Sequence, residues 1–192
     1  MRWRAVLHGW PSCRVADLMR LAVLAVSEGR DNPTTRWPSA DDLSDYYRGE
    51  FPTVPVHEAR GDDDGVILAN WNGAAEVAAG LVVSLCRVGR RQVLAPQRVE
   101  LRLLDEDLPE ANPNLEFLFA DMAEAITAWR DEGKKVLVHC VQAERRTPAV
   151  AAAYLARRAG ISGDEAFARV RRVLPGARVN PAFRAVLERL WP

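Results

Sequence analysis

The sequence predicts an α/β fold, a central and mostly parallel sheet flanked by helices, with a helical N-terminal extension in front of it. Three observations predict this. Four short apolar runs, 66–69, 81–86, 99–104 and 136–139, have the length and continuity of strands buried on both faces. The segments between and after them carry apolar residues at helical spacing. With 192 residues, 48% of them hydrophobic, the chain has material for one substantial core and no repeat or low-complexity tract.

Residues 15–26 are the first apolar segment. Asp17 and Arg20 interrupt it, and it is shorter than the ~20 residues a membrane-spanning helix needs, so it reads as a buried helix. Ser39 is placed to cap a second, short helix whose first turn holds Asp41 and Asp42, with Tyr46, Tyr47 and Phe51 turned inward. Pro52, Pro55 and the run Gly61-Asp62-Asp63-Asp64-Gly65 break periodicity and mark an exposed, solvated connection. The chain therefore divides into an extension or subdomain over 1–65 and a core over 66–192.

Within the core, Leu115, Phe117, Leu118, Phe119, Met122, Ile126 and Trp129 recur between the third and fourth strands as the buried stripe of a helix, which Gly133 ends. Two more helices are expected over 147–158 and 164–173, with Gly160 and Gly163 around the turn and Pro175-Gly176 stopping the second. A last helix over 181–190 starts with proline, which the first turn tolerates. Trp10, Trp37 and Trp71 read as packing residues, and His8 and His57 have no evident partner.

Twenty-six basic and 26 acidic residues leave no net field to attract nucleic acid or an anionic membrane, so neither is an expected partner and any anion must be held locally. Cys13, Cys86 and Cys140 form neither a disulfide framework nor a Cys-x-x-Cys metal pair. A reducing, cytoplasmic setting fits, and no metal or cofactor is expected. A monomer is the default expectation.

The chemistry concentrates in Val136-Leu137-Val138-His139-Cys140-Val141-Gln142-Ala143-Glu144-Arg145-Arg146-Thr147, a strand running into a loop and the loop into a helix. Backbone N–H groups of such a loop, with the unpaired N–H groups of the following helix, make an anion site. The same field stabilises a thiolate, the form of cysteine that attacks phosphorus. Arg146, at the far end of the loop from Cys140, can fork bidentately onto phosphoryl oxygens, a geometry lysine cannot copy. The Thr147 hydroxyl is near enough in sequence to bond the sulfur and ease its departure from a phosphocysteine. His139 is expected to orient the loop and not to transfer protons.

This His-Cys-x5-Arg-Thr run after a Val-Leu-Val strand resembles the signature of the cysteine-based protein phosphatases, particularly the dual-specificity branch. Thr147 to Leu155, Glu165-Ala166, Asn180-Pro181-Ala182-Phe183 and Leu187 extend the likeness, which covers roughly residues 66 to 192. The resemblance implies a metal-independent phosphomonoesterase with Cys140 as nucleophile, Arg146 as phosphate clamp, and 141–146 as the phosphate loop. It also implies a general acid, an aspartate on a loop before the cysteine: Asp105 is preferred because it follows the third apolar run directly, with Asp107 as the alternative. Low-molecular-weight phosphatases carry their loop early with the acid after it, and rhodanese-like sulfurtransferases lack the His-Cys and Arg-Thr flanks. Expected substrates are phosphotyrosine, phosphoserine or phosphothreonine in proteins, or a small phosphorylated molecule. The alternative is a weakly catalytic domain that binds phosphorylated ligands.

Two departures and one addition bear on this. The family's loop has glycine where this chain has Ala143; if the position requires φ > 0, alanine is strained there by ~1 kcal/mol or more. Val141, Gln142, Ala143 and Glu144 offer none of the basic side chains that phosphoinositide phosphatases carry, and Glu144 is expected on the rim. Cys86 ends the second strand, where some relatives hold a cysteine that forms a disulfide with the nucleophile; its other reading is a small buried hydrophobe.

Overall fold

The computed structural model describes residues 57–58, 65–74, 77, 79–86 and 97–192. The helices expected near 15–26 and after Ser39, the acidic run 61–64, Cys13, Trp10, Trp37 and His8 lie outside the described residues. Among the described residues, no helix is long and apolar enough to cross a membrane.

Five strands form one sheet: β1 (His57–Glu58), β2 (Val66–Ala69), β3 (Leu81–Ser84), β4 (Gln97–Glu100) and β5 (Val136–His139), in the order β1-β2-β5-β3-β4. All neighbours run parallel except β1 and β2. β1 pairs His57 with Leu68, so the sheet takes an edge strand from the segment that the sequence assigned to the extension. β2, β3 and β5 are buried at every position, as their continuous apolar runs require. β5 lies between β2 and β3, with Val136 opposite both Val66 and Leu81. The strand that carries the signature is thus the centre of the sheet.

Two strand ends differ from expectation. β3 stops at Ser84 instead of Cys86, the Leu85 N–H making one last bond to the His139 carbonyl at 2.9 Å. β4 starts at Gln97 and ends at Glu100, not at 104, although Leu101 still donates to Ser84 O at 2.8 Å. Beyond that point the Asn112 side chain takes both backbone groups of Leu104, accepting from its N–H and donating to its carbonyl, each at 2.9 Å. A carboxamide offers the same donor and acceptor pair as a peptide, so it replaces a strand partner and lets the chain leave the sheet without stranded polar groups.

Alternate strand residues face opposite layers. Val66, Leu68, Leu81, Val83, Val136 and Val138 meet the helices α2 (Leu115–Asp131), α3 (Arg146–Ala159) and α5 (Pro181–Leu190) through Phe119, Ile126, Val150, Tyr154 and Phe183. Ile67, Ala69, Val82 and Leu137 face the other way, against Ala79 and Ala74 of the short helix α1 (Trp71–Ala74). On α2 the buried positions are Leu115, Phe119, Met122, Ala123 and Ile126, while Phe117, expected in the core, is 68% exposed. Residues two apart do not share a helix face, so Phe117 cannot join a stripe that holds 115 and 119. Leu118 and Trp129 are half-buried against the same core. Gly133, at φ +75°, stops α2, with its N–H on Arg130 O.

The remaining helices explain the small residues of the C-terminal third. α3 is buried along much of its length and its alanines let α2 and α4 (Gly163–Val173) pack close. Gly160 closes α3 in the left-handed region. Ser162 caps α4 by accepting from Glu165 N at 3.2 Å. Gly163 is pressed against α5: a Cβ there would sit 2.7 Å from the Leu187 carbonyl oxygen.

Candidate active site

β5 delivers His139 and Cys140 to the carboxyl edge of the sheet, the chain loops through 141–145, and α3 begins at Arg146. Cys140, Val141, Ala143, Arg146 and Thr147 are all buried. The loop turns so tightly that the Ala143 N–H points back at the Cys140 sulfur, 3.2 Å away. That turn puts Ala143 at φ +59°, and it is the one non-glycine residue with positive φ among the described residues. The condition attached to this departure from glycine is therefore met, and an L-residue there costs roughly 1–2 kcal/mol. Packing offsets part of it: the Ala143 methyl is buried with Leu174 and Ala177, with Phe167 alongside.

Neighbouring elements hold the loop at three further points. Trp71 N–H donates to Val141 O at 3.1 Å, Arg178 N–H to Glu144 O at 2.6 Å, and the Arg178 side chain pairs with the Glu144 carboxylate. The Glu144 side chain is half-exposed beside Arg178, and Gln142 is half-buried.

Arg146 Nη1 lies 3.3 Å from both Leu85 O and Leu103 O, the carbonyls where β3 and the chain after β4 leave the sheet. Its Nε is 3.7 Å from Asp105 Oδ2. Asp105 is drawn into the site at 13% side-chain exposure, whereas Asp107 is 60% exposed and meets Arg145 at 3.2 Å. Arg145 also approaches Asp105, at 3.8 Å. Cys140, Arg146 and Asp105 thus share one site, with Arg145 and Asp107 on its rim.

His139 is fully buried, with Nε2 2.8 Å from Ser84 Oγ and the Trp71 ring edge-on at a centroid distance of 6.3 Å. Burial, with the positive charges of Arg98 and Arg146 adding and a backbone contact at Cys140 opposing, holds its imidazole down to about 4. It is neutral at physiological pH and locked between β3 and the loop. The Thr147 hydroxyl is buried without a hydrogen-bond partner, so the bond to the sulfur expected from the sequence is not made in this conformation. Cys86 is a buried free thiol just past β3; burial pushes it up, the negative fields of Cys140 and Glu100 add, and Arg146 opposes.

Four positioning residues were not anticipated in this role. Trp71 was assigned to packing alone, and Ser84 was read only as part of a strand; both sit where parallel strands end beside the nucleophile's strand, the edge at which α/β sites form. Asn112 and Asn180 each precede a proline, and nothing in their local sequence points to their links to residues 104 and 106.

The catalytic-domain profile of the dual specificity phosphatases matches residues 86–190. Human dual specificity phosphatase 28 is 36% identical over 122 residues, spanning 61% of this chain and 67% of its own. The crystal structure of human DUSP28 superposes with a TM-score of 0.56 at 26% identity, covering 72% of this chain and 93% of that one. A mouse dual specificity phosphatase complexed with zinc tungstate gives 0.57 at 29% identity, covering 70% and 85%.

Proposed function

The chain belongs to the dual specificity phosphatase family, and from that membership we propose that Cys140, Arg146 and Asp105 carry out its phosphomonoester hydrolysis. It is a cysteine-based protein phosphatase, and the family's reaction runs through a phosphocysteine. The Cys140 thiolate attacks phosphorus and forms the S–P bond as the P–O bond to the leaving group breaks. Asp105, as the carboxylic acid, gives that oxygen its proton. Water then attacks phosphorus, its proton returns to the Asp105 carboxylate, and the S–P bond breaks to release phosphate and thiolate. Arg146 and the loop N–H groups of 141–146 hold the charge that gathers on the phosphoryl oxygens.

The observation that carries this is the convergence of two chain segments: the sulfur receives the Ala143 N–H, and Arg146, closing the same loop, lies 3.7 Å from the Asp105 carboxylate. Asp107, exposed on the rim, is assigned to Arg145 and not to proton transfer. Metal-free hydrolysis of para-nitrophenyl phosphate tests the assignment. Cys140→Ser should abolish turnover; retention of turnover refutes it.

The substrate is a phosphorylated tyrosine, serine or threonine in a protein, or a small monoester of similar charge. Arg145 is balanced by Asp107 and Glu144 by Arg178, so the rim offers no net positive charge for a polyphosphorylated lipid headgroup. Buried free thiols at Cys86 and Cys140 suit a reducing, cytoplasmic setting. We assign Cys86 as the thiol that pairs with Cys140 under peroxide: two thiols give up two electrons, one S–S bond forms and the peroxide leaves as water. Peroxide should then protect both cysteines from alkylation and a reductant should restore them. The positive φ of Ala143 favours one second reading, a phospho-ligand binding domain with slow turnover; tungstate binding without measurable hydrolysis would select it.

A further inference from the structure

The connection between α4 and α5, residues 174–180, touches both halves of the site. On one side Leu174 and Ala177 pack against the Ala143 methyl, and Arg178 N–H holds the Glu144 carbonyl at 2.6 Å. On the other, the Asn180 side chain donates from Nδ2 at 3.1 Å to the carbonyl of Glu106, the residue that follows Asp105. The same carboxamide accepts the Phe183 N–H at 2.8 Å and so caps α5. Asn180 is only 2% exposed, which makes each bond hard to replace by water.

The chemistry needs the carboxyl of Asp105 and the sulfur of Cys140 at a fixed separation, on opposite sides of the phosphoryl group they act on. These residues lie on different segments, and the chain after β4 has already left the sheet where Asp105 occurs. We propose that residues 174–180 form a strap setting this separation, with Asn180 as a positioning residue that holds the Asp105 segment to α5. Asn180 touches no reacting atom; it acts through the main chain of residue 106. The inference rests on Asp105 as general acid.

Its test separates capping from positioning. Serine caps helices as well as asparagine but is too short to reach Glu106 while accepting from Phe183, so Asn180→Ser keeps the cap and cuts the tie. Asn180→Asp, of nearly the same shape, also keeps an acceptor for Phe183 N–H and replaces the Nδ2 donor with a carboxyl oxygen. For phenyl phosphate, whose leaving group needs a proton, turnover should fall about tenfold to a hundredfold in both variants. For para-nitrophenyl phosphate, a far better leaving group, it should change less than about threefold. Asp105→Asn serves as the reference: if it shows no such leaving-group dependence, the assignment of Asp105 fails. If Asp105→Asn shows it and the Asn180 variants do not, the strap fails and the acid stands. Hydrogen exchange on the full chain decides independently of activity. The strap requires faster exchange in peptides covering 104–108 with α5 unchanged, and equal exchange in wild type and variants overturns it.

Discussion

Acidification should weaken this fold through a single imidazole. His139 binds its proton at about 4 in the native state, against 6.5 for an unperturbed histidine. Because the folded value is depressed, the stability tied to neutral His139 is present in full above 6.5. It is lost as pH falls from there towards 4, where the native state also becomes protonated. The gap between the two corresponds to about 3 kcal/mol in total, most of which is gone by pH 4.5. The group is fully buried, so solvent does not screen the effect. Urea unfolding of wild type and His139→Gln at pH 7.5 and 4.5 isolates this contribution, since carboxylates titrating in both proteins cancel in the difference. Glutamine keeps a polar atom towards Ser84 and has no proton to take up. Wild type should lose about 2–3 kcal/mol more than the variant on acidification. Equal losses would refute the reasoning, because they would mean that the native state accommodates an imidazolium between Ser84, Trp71 and the fields of Arg98 and Arg146.

Four other substitutions test the packing around the site. Ala143→Gly removes a left-handed alanine (about 1–2 kcal/mol) but also a buried methyl (about 0.8) and adds unfolded-chain freedom (about 0.4–1), so stability should stay within about 1 kcal/mol of wild type in denaturant titrations. Ala143→Val should lower both the midpoint and turnover, since a branched side chain tolerates that backbone poorly. Gly163→Ala forces a Cβ onto the Leu187 carbonyl and should cost about 1–3 kcal/mol, measured by thermal unfolding. Asn112→Ala strips both partners from Leu104 and should cost about 2 kcal/mol or more; phenyl phosphate turnover should fall with it, because Asp105 is the next residue.

The sheet and helices were legible where local pattern and tertiary role agree. The runs at 66–69 and 136–139 are buried on both faces, and apolar continuity over four residues is the direct imprint of that burial. Pro181 and Gly133 marked helix ends because their backbone preferences act locally. The third strand was misread because Leu101, Leu103 and Leu104 look like strand to any periodicity, while the group that ends their pairing is the Asn112 side chain eight residues on. Phe117 was misread because hydrophobicity does not say which side of a helix a residue occupies. At the site, Cys140, Arg146 and Ala143 were visible because the loop is contiguous. Asp105 needed the family likeness, and the roles of Ser84, Trp71 and Asn180 could not be read locally, since each links residues distant in the chain.

The tie from Asn180 to Glu106 spans 74 residues, against 8 for Asn112 to Leu104 and 61 for Arg146 to Leu85. Contacts between distant residues carry the larger loop-closure entropy, and a chain made from its N-terminus forms them only when the later partner exists. The turn at Asn112 can close early and Arg146 can find its strand-end carbonyls next, but the Glu106 carbonyl gains its Asn180 partner only once residues 174–180 have been made. On the proposed assignment, the loop bearing Cys140 is complete in a nascent chain before the last tie near Asp105 can form. Synthesis thus orders these ties, and the one our proposal gives to the segment after Asp105 comes last.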